Sequence, residues 1–443
     1  MNVTSRVART VIIALLTLLC ITLTPVRGQD AAAGGQKYTM AEYNAYKAAD
    51  AEKNPAAQLK LLDDFVAKYP NSALLNYVYP MYYRNYGTQR NFQKVIEYAD
   101  KYIALGDAQT NANDRNQAYY LRAIAYINLS NTDPAVAKSA YTAAMDGAKL
   151  VETLPKPEGF DDAKFADEKK KELIIFDSTA GNAATVEKDY PSAIAAYKAV
   201  LAITPDEFIT NYTIGKVYMS MTPPALADAQ WYFARAASSK TANEAQSKQV
   251  KAYLRKVIAN YQGGTVCDVL TDAELNELLQ LASTTPDRPA SYKLYSSADL
   301  TAAQKDMTIA SVVVDLKAGG DKAKLTWTAS CGLEFPDVPG KIIEVTPGAD
   351  STQLKVAFVT SDAEFETATT PNMDVKVVGQ PEAAKLEKDN PVHFTGTLMS
   401  YDPDPAFMLH WDKAKVNDED LPKEKGAPKK PAVKKPVAKK PSS

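Results

Sequence analysis

The sequence has little of what most metal and catalytic centres are made from. Its 443 residues include two His, three Cys and three Trp. Zinc and most transition-metal sites draw on clusters of His and Cys, and two imidazoles cannot supply such a cluster alone. No phosphate loop, dinucleotide fingerprint, nucleophile elbow or zinc-protease motif occurs. A basic surplus is also missing. The 51 Lys and Arg are set against 53 Asp and Glu, for a formal net charge of -2, whereas nucleic-acid binding usually needs a clear positive excess. The apolar run Val11–Leu23, broken only by Thr, has 13 residues, short of the roughly 20 that span a bilayer. These absences argue against an enzyme of recognised type, a nucleic-acid binder, a protein built around a cofactor, and a membrane-embedded protein.

The near-neutral balance hides an asymmetry. Arg6, Arg9 and Arg27 lie in the first 28 residues, and residues 421–443 hold eight Lys against the single acid Glu424. Setting both segments aside leaves the body at about -12. A short basic region, a 13-residue apolar run, Pro25 and then Val26-Arg27-Gly28 form the pattern of an export signal, with cleavage after Gly28. The expectation is a signal peptide over 1–28 and an exported chain, periplasmic or extracellular, with no transmembrane span left after cleavage. At the other end, residues 418–443 are rich in Lys, Pro and Ala, and from Lys423 to Ser443 there is almost no large apolar side chain. Such a composition predicts a disordered tail, able to adhere to an anionic polymer of the cell envelope.

Between these ends the sequence is rich in Tyr, with 25, and repeats itself. Gly181 and Gly215, Ala193 and Ala227, Tyr197 and Trp231, and Val200 and Ala234 are each 34 residues apart, and Pro205 closes the first unit. This pattern resembles the tetratricopeptide repeat. In that family a small residue lets two antiparallel helices approach, an aromatic fills the second helix, and Pro ends it. Units at 174–207 and 208–241 carry the match, and looser ones at 39–72 (Tyr46, Leu62, Phe65, Pro70) and 76–109 (Tyr86, Val95, Ala99, Tyr102) precede them. A further unit opens at Ala123 and Tyr126 and continues through Ala137, Tyr141 and Ala144. Apolar residues recur at three- and four-residue spacing throughout. The expectation is an α-helical solenoid of antiparallel helix hairpins over 36–262, closed by a helix from Glu244 to Tyr261. A helical connector follows over 263–304, including a helix from Asp272 to Leu281.

After Pro286 the period falls from 3.6 to 2. Strand-like runs lie at Ile309–Leu316, Lys324–Trp327, Lys341–Val345, Gln353–Val359, Val375–Val378, Val392–Tyr401 and Phe407–Trp411. They predict a small all-β domain, barrel or sandwich, over 305–417. The last two runs read as a hairpin around Asp402-Pro403-Asp404-Pro405, and 392–411 looks like strands of an oligonucleotide/oligosaccharide-binding barrel.

Few residues invite chemistry. His393 and His410 sit on the two strands of that hairpin, with Asp412 near, and form part of a metal set at most. Cys267 and Cys331 are either a disulfide, favoured by an oxidising compartment, or two separate thiols. The resemblance implies a different kind of site, the concave face lined by the first helix of each hairpin. On the matched frame that face includes Tyr43, Lys47, Tyr77, Arg84, Gln117, Tyr120, Asn182, Tyr212 and Lys216. Aromatic and cationic side chains together suit an extended peptide with an acidic residue or a free carboxylate. The expected role is a scaffold for a protein or peptide partner, not an enzyme, serving assembly or maintenance of the envelope. The alternative is a cell-wall or carbohydrate binder acting through the β-domain and the cationic tail. Self-association through the open ends of the stack is compatible with either.

Overall fold

A computed structural model of the chain describes residues 37–130, 132–264, 266–290, 292–403 and 406–422. The expected export signal, most of the basic tail, and Asp404 and Pro405 lie outside the described residues. Among the described residues there are 16 α-helices and five strands. The chain divides into two compact units at residues 247 and 248.

The first unit is helical: α1 (Met40–Ala51), α2 (Pro55–Lys68), α3 (Leu75–Thr88), α4 (Phe92–Ile103), α5 (Ala112–Leu129), α6 (Pro134–Thr153), α7 (Asp162–Glu187), α8 (Tyr190–Ile203), α9 (Phe208–Ser220) and α10 (Leu226–Ser238). The starts are written into the sequence. Thr39, Asn54, Asn91, Asn111, Asp133, Asp161 and Asp189 each accept a hydrogen bond from a first-turn N–H, satisfying donors the helix cannot. Pro55 and Pro134 add a preset φ at the first helical position.

Consecutive helices pack through small residues set against rings. A Cβ added to Gly181 on α7 would lie 2.7–2.8 Å from the Tyr197 ring on α8, and one on Gly215 on α9 would lie 2.8 Å from Phe233 on α10. The sequence match assigns the second role to Trp231; that ring is buried, but Phe233 faces the glycine. Gly147 on α6 approaches Phe176 on α7 more closely still. Nearer the N-terminus the packing is tyrosine on tyrosine. Tyr82 and Tyr98 stack at 3.9 Å, and the Tyr82 hydroxyl donates to Asp63 at 2.7 Å. Several cross-links join residues 33 or 34 positions apart. Asn76 Nδ2 donates to the Gln109 carbonyl at 3.2 Å, Arg84 to Gln117, the Phe208 N–H to Thr241 Oγ1 at 2.9 Å, and the Lys240 N–H to Asp206 at 2.9 Å.

The second unit begins within α11 (Glu244–Tyr261) and continues with α12 (Asp268–Thr284), α13 (Ser297–Gln304), α14 (Ile309–Ala318) and α15 (Gly320–Ser330). Cys267, just before α12, is disulfide-bonded to Cys331, just after α15, with Cα atoms 5.6 Å apart. Arg255 reinforces this corner through Asp268 at 2.8 Å and Asp272 at 2.5 Å.

The runs Ile309–Leu316 and Lys324–Trp327, expected as strands, are helices. The β-branched residues of the first suit either state, and two local features decide it. Thr308 and Ser311 form a capping box at its start, and Gly319, with φ of +71°, ends it. Val312, Val313 and Leu316 then face inward while Val314 is 64% exposed, which is the one-sided burial of a helix and not the alternation of a strand.

The barrel comprises β1 (Glu334–Pro347), β2 (Ser351–Phe358), β3 (Met373–Val378), β4 (Pro391–Asp402) and β5 (Met408–Val416), closed in the order β1-β2-β3-β5-β4. Between β2 and β3 lies α16 (Asp362–Thr367), and between β3 and β4 a 3₁₀ turn at Pro381–Lys385. Only β3 and β5 are parallel. Of the two architectures left open by the sequence, the β-domain takes the barrel, and its last two strands form the expected antiparallel hairpin. The interior is filled by alternate residues such as Leu354, Val356, Val375, Phe394, Leu398 and Leu409, with Trp411 edge-on to Phe335 and Phe394. Val312, Val313 and Leu316 of α14 and Ala323 of α15 join the same core. Leu421 packs against it too, so order extends past residue 417.

Candidate binding surface

The residues expected on the concave face fall into three groups. The first is a run of tyrosines. Tyr43 and Lys47 are one turn apart on α1, and Tyr77 starts α3. Tyr43 stacks on Tyr38 with centroids 6.0 Å apart and lies 6.4 Å from Tyr46, which in turn lies 5.7 Å from Tyr77. Four rings therefore run from the chain before α1 across to α3. Tyr43 is 38% exposed and Tyr77 52%, so the run presents apolar ring surface to solvent. Lys47 pairs with Asp50 at 2.8 Å and stands 5.8 Å from the Tyr46 ring. Burial raises the Tyr46 hydroxyl above its ordinary value, with Asp50 adding to the effect. Tyr38 escaped the reading of the sequence because it precedes the repeat frame. Tyr46 enters the reading of the sequence as a match to the unit at 39–72 and not as a residue of the concave face.

The second group is centred on α5. Arg84 of α3 donates to Gln117, so the cation is engaged by a neighbouring helix. Tyr120 is half-buried, edge-on to Phe176 of α7 at 6.3 Å. Beside it is a contact that sequence reasoning missed, Asn116 Nδ2 donating to Glu172 Oε2 at 2.7 Å. Burial raises the Glu172 carboxyl above the usual carboxylate range; the Asn116 bond lowers it, Glu168 raises it and Lys169 lowers it. The Tyr120 hydroxyl is raised by burial and then by Glu172 and Glu168. The signal for Glu172 was an acid running straight into the apolar Leu173–Phe176, at the edge of a buried helix face.

The third group lies on α7 and α9. Tyr212 packs between Phe208 at 6.1 Å and Phe233 at 5.6 Å, and Lys216, one turn on, is exposed, as is Asn182 of α7. Their neighbours are these helices and not the tyrosines of α1 and α3.

A depression of about 360 Å³ is lined in part by Asp100, Tyr119, Arg122 and Asp146. Its buried Arg122 is satisfied by Asp100 at 2.5 Å and Ser139 at 2.8 Å. On the barrel the two His are separated, contrary to the idea that the hairpin gathers them. His410 lies opposite Ser400, while His393 is seven residues further back along β4. His393 meets Asp420 at 3.1 Å, His410 lies between Asp402 at 2.8 Å and Asp374 at 3.4 Å, and Asp412 faces Lys376 at 3.6 Å. Among the described residues no group of three or more His, Cys, Asp or Glu is placed to hold a metal ion. No helix among them is long and apolar enough to cross a membrane.

A scan against protein-family models finds no match for this chain, and no curated protein matches it.

Proposed function

We propose that the first unit is a tetratricopeptide-type array in an exported scaffold, and that its tyrosine-lined face binds an extended segment of a protein partner. Two features support the array. Glycines 34 residues apart each lie against a ring of the next helix, and cross-links recur between residues 33 or 34 apart. Both are what stacked hairpins of that length require, since each unit meets its neighbour at equivalent positions.

The observation that carries the binding role is the exposed run Tyr38–Tyr43–Tyr46–Tyr77. Tyr offers a large contact area with few rotatable bonds to immobilise, and aromatic residues are enriched where interfaces form. The test is affinity capture from an envelope extract with the chain from residue 29 onward, beside the same bait carrying Tyr43→Ala and Tyr77→Ala. A protein held by the first and lost from the second supports the reading. Equal capture by two folded baits moves the site elsewhere.

A rival role rests on the barrel. Its strand order resembles that of oligonucleotide/oligosaccharide-binding barrels, which take ligands across β2 and β3. Here the outward residues along those strands are Ser351, Gln353, Lys355, Asp374, Lys376 and Val378, tied by ion pairs such as Lys355–Asp374 at 3.1 Å. Phe358, at the end of β2, is half-buried against the barrel core, so the stretch offers little ring surface for a base or sugar to stack upon, and the exposed tyrosines weigh toward the helical unit.

A further inference from the structure

The depression of about 360 Å³ in the first unit has a buried guanidinium in its lining, with donors to spare. Its lining comes from α4 (Asp100), α5 (Tyr119 and Arg122) and α6 (Ser139, Thr142 and Asp146). Residues three or four apart share a helix face, so α5 presents Tyr119 and Arg122 together, and α6 presents its three residues together. Arg122 is 4% exposed, and a guanidinium carries five N–H donors in a fixed plane. Nε donates to Asp100 at 2.5 Å, and Nη2 donates to Ser139 at 2.8 Å and to the second Asp100 oxygen at 3.4 Å. Nη1 donates to nothing among the described residues, yet it is not one of the unpaired polar atoms sealed from solvent. In a residue this buried, which lines the depression, Nη1 is the nitrogen left facing it. Asp100 holds the plane fixed, so the two N–H groups of Nη1 are oriented before any ligand arrives. Across from them, Asp146 is exposed and makes no hydrogen bond or ion pair among the described residues. Tyr119 is half-buried between the two. Burial raises its hydroxyl above the ordinary value, Asp146 raises it further, and Arg122 is among the cations that lower it. Donor and acceptor therefore gather around one ring.

We propose that this depression binds the hydroxyl edge of a neutral pyranose, with Arg122 Nη1 as donor, Asp146 as acceptor and the Tyr119 ring beside the C–H face of the sugar. The lining selects that class. It sets one cation against two carboxylates, Asp100 and Asp146, so a phosphate or a free carboxylate meets net negative charge. An ammonium suits Asp146 but brings no acceptor to Nη1. A hydroxyl both donates and accepts, so neighbouring hydroxyls of one ring serve Nη1 and Asp146 at once. A trans peptide unit carries one donor and one acceptor but aims them in opposite directions. Tyr offers an apolar body beneath its polar tip, which suits the C–H face of a sugar ring. The volume is near the lower end of the roughly 300–1,000 Å³ of small-ligand sites, room for a single ring. The site shares no residue with the tyrosine run of α1 and α3, and it stands whether or not that run binds a peptide.

The probes are the methyl glycosides of glucose, galactose, mannose and N-acetylglucosamine, beside N-acetylglycinamide and inorganic phosphate. Each is titrated by calorimetry into the chain from residue 29 onward. At least one glycoside is expected to bind with a Kd of about 1–10 mM, and more tightly than the amide or the phosphate. Asp146→Ala, at an exposed position, should weaken it about 10-fold, the value of one hydrogen bond to a charged group. Thr142→Trp, also exposed, fills the depression without altering Arg122 and should abolish binding. Far-UV circular dichroism checks that both variants fold. Cellobiose and chitobiose separate two sources of the same chemistry. Tighter binding than the matching methyl glycoside supports a residue within a glycan chain, and equal binding supports a free sugar. No binding of any glycoside, or binding unchanged in folded Asp146→Ala and Thr142→Trp, overturns the proposal. Preference for N-acetylglycinamide or phosphate over every glycoside overturns the sugar assignment.

Discussion

Replacing glycine by alanine in a helix should have opposite signs at four places in the first unit, and the sign is set by what the new methyl meets. At Gly87 the nearest atom to an added Cβ is Val95 Cγ2 at 4.0 Å, an ordinary contact. Alanine there gains most of the roughly 0.5–1 kcal/mol by which it exceeds glycine in a helix. At Gly181 the methyl would lie 2.7–2.8 Å from three carbons of Tyr197, and at Gly215 2.8–3.1 Å from Phe233. Carbon atoms prefer about 3.5–4.0 Å, so each ring must move by close to an ångström within a buried interface. Overpacking of that kind costs about 1–3 kcal/mol, which outweighs the helical gain and leaves a net loss of roughly 1–2 kcal/mol. Gly147, whose methyl would be 2.5–3.0 Å from fully buried Phe176, should be the worst. Urea unfolding followed by far-UV circular dichroism gives the four values on one scale. Adding Tyr197→Leu to Gly181→Ala should recover part of the loss by removing the obstructing ring. If Gly181→Ala and Gly215→Ala stabilise as Gly87→Ala does, the close approach of these helices is wrong, and with it the repeat packing.

Three further outcomes follow from particular groups. Glu274 is 3% exposed and its carboxyl is pushed up to about 7 by burial, against hydrogen bonding from Gln262 and the charge of Lys324. Between the unfolded value of 4.5 and about 7 the folded chain holds a proton that the unfolded chain has released. Stability of the second unit therefore falls as pH rises through that window, by up to about 3 kcal/mol. Calorimetry should show the slope, and Glu274→Gln should remove it and raise the Tm relative to wild type above about pH 7. Breaking Cys267–Cys331, with its 64-residue separation, should cost the second unit up to about 4 kcal/mol, read as a drop in the urea midpoint of Cys267→Ser/Cys331→Ser. Asp100→Ala leaves the buried Arg122 with Ser139 alone. Because Asp100 is half-exposed, a loss of roughly 2 kcal/mol is expected instead of the full cost of a buried pair, measured by the same urea titration.

Much of the fold was legible because its signals are local. The 34-residue register and three- and four-residue apolar spacing marked the helices of the first unit, and α11 runs over the residues expected. Strands β1 to β5 each cover a run of alternating residues in the sequence. Ile309–Leu316 misled because Val and Ile fit a strand as well as a buried helix face, and the deciding capping box has Ser in place of Glu or Gln. The candidate surface was legible in part. A repeat frame can say that Tyr43 and Tyr77 lie on first helices, but it cannot say that Tyr38 and Tyr46 join them into one run. Nor can it pair Asn116 with Glu172, 56 residues away, because that contact depends on how α5 and α7 pack.

The most direct test of the binding face is photo-crosslinking in living cells, with benzoylphenylalanine placed at Tyr43, at Tyr77, or at Tyr253, a tyrosine of α11 that is 41% exposed and so matched in chemistry and access. A shared adduct with a second protein at positions 43 and 77, absent at 253, is the predicted result. No adduct at 43 and 77, or equal adducts at all three, would contradict it.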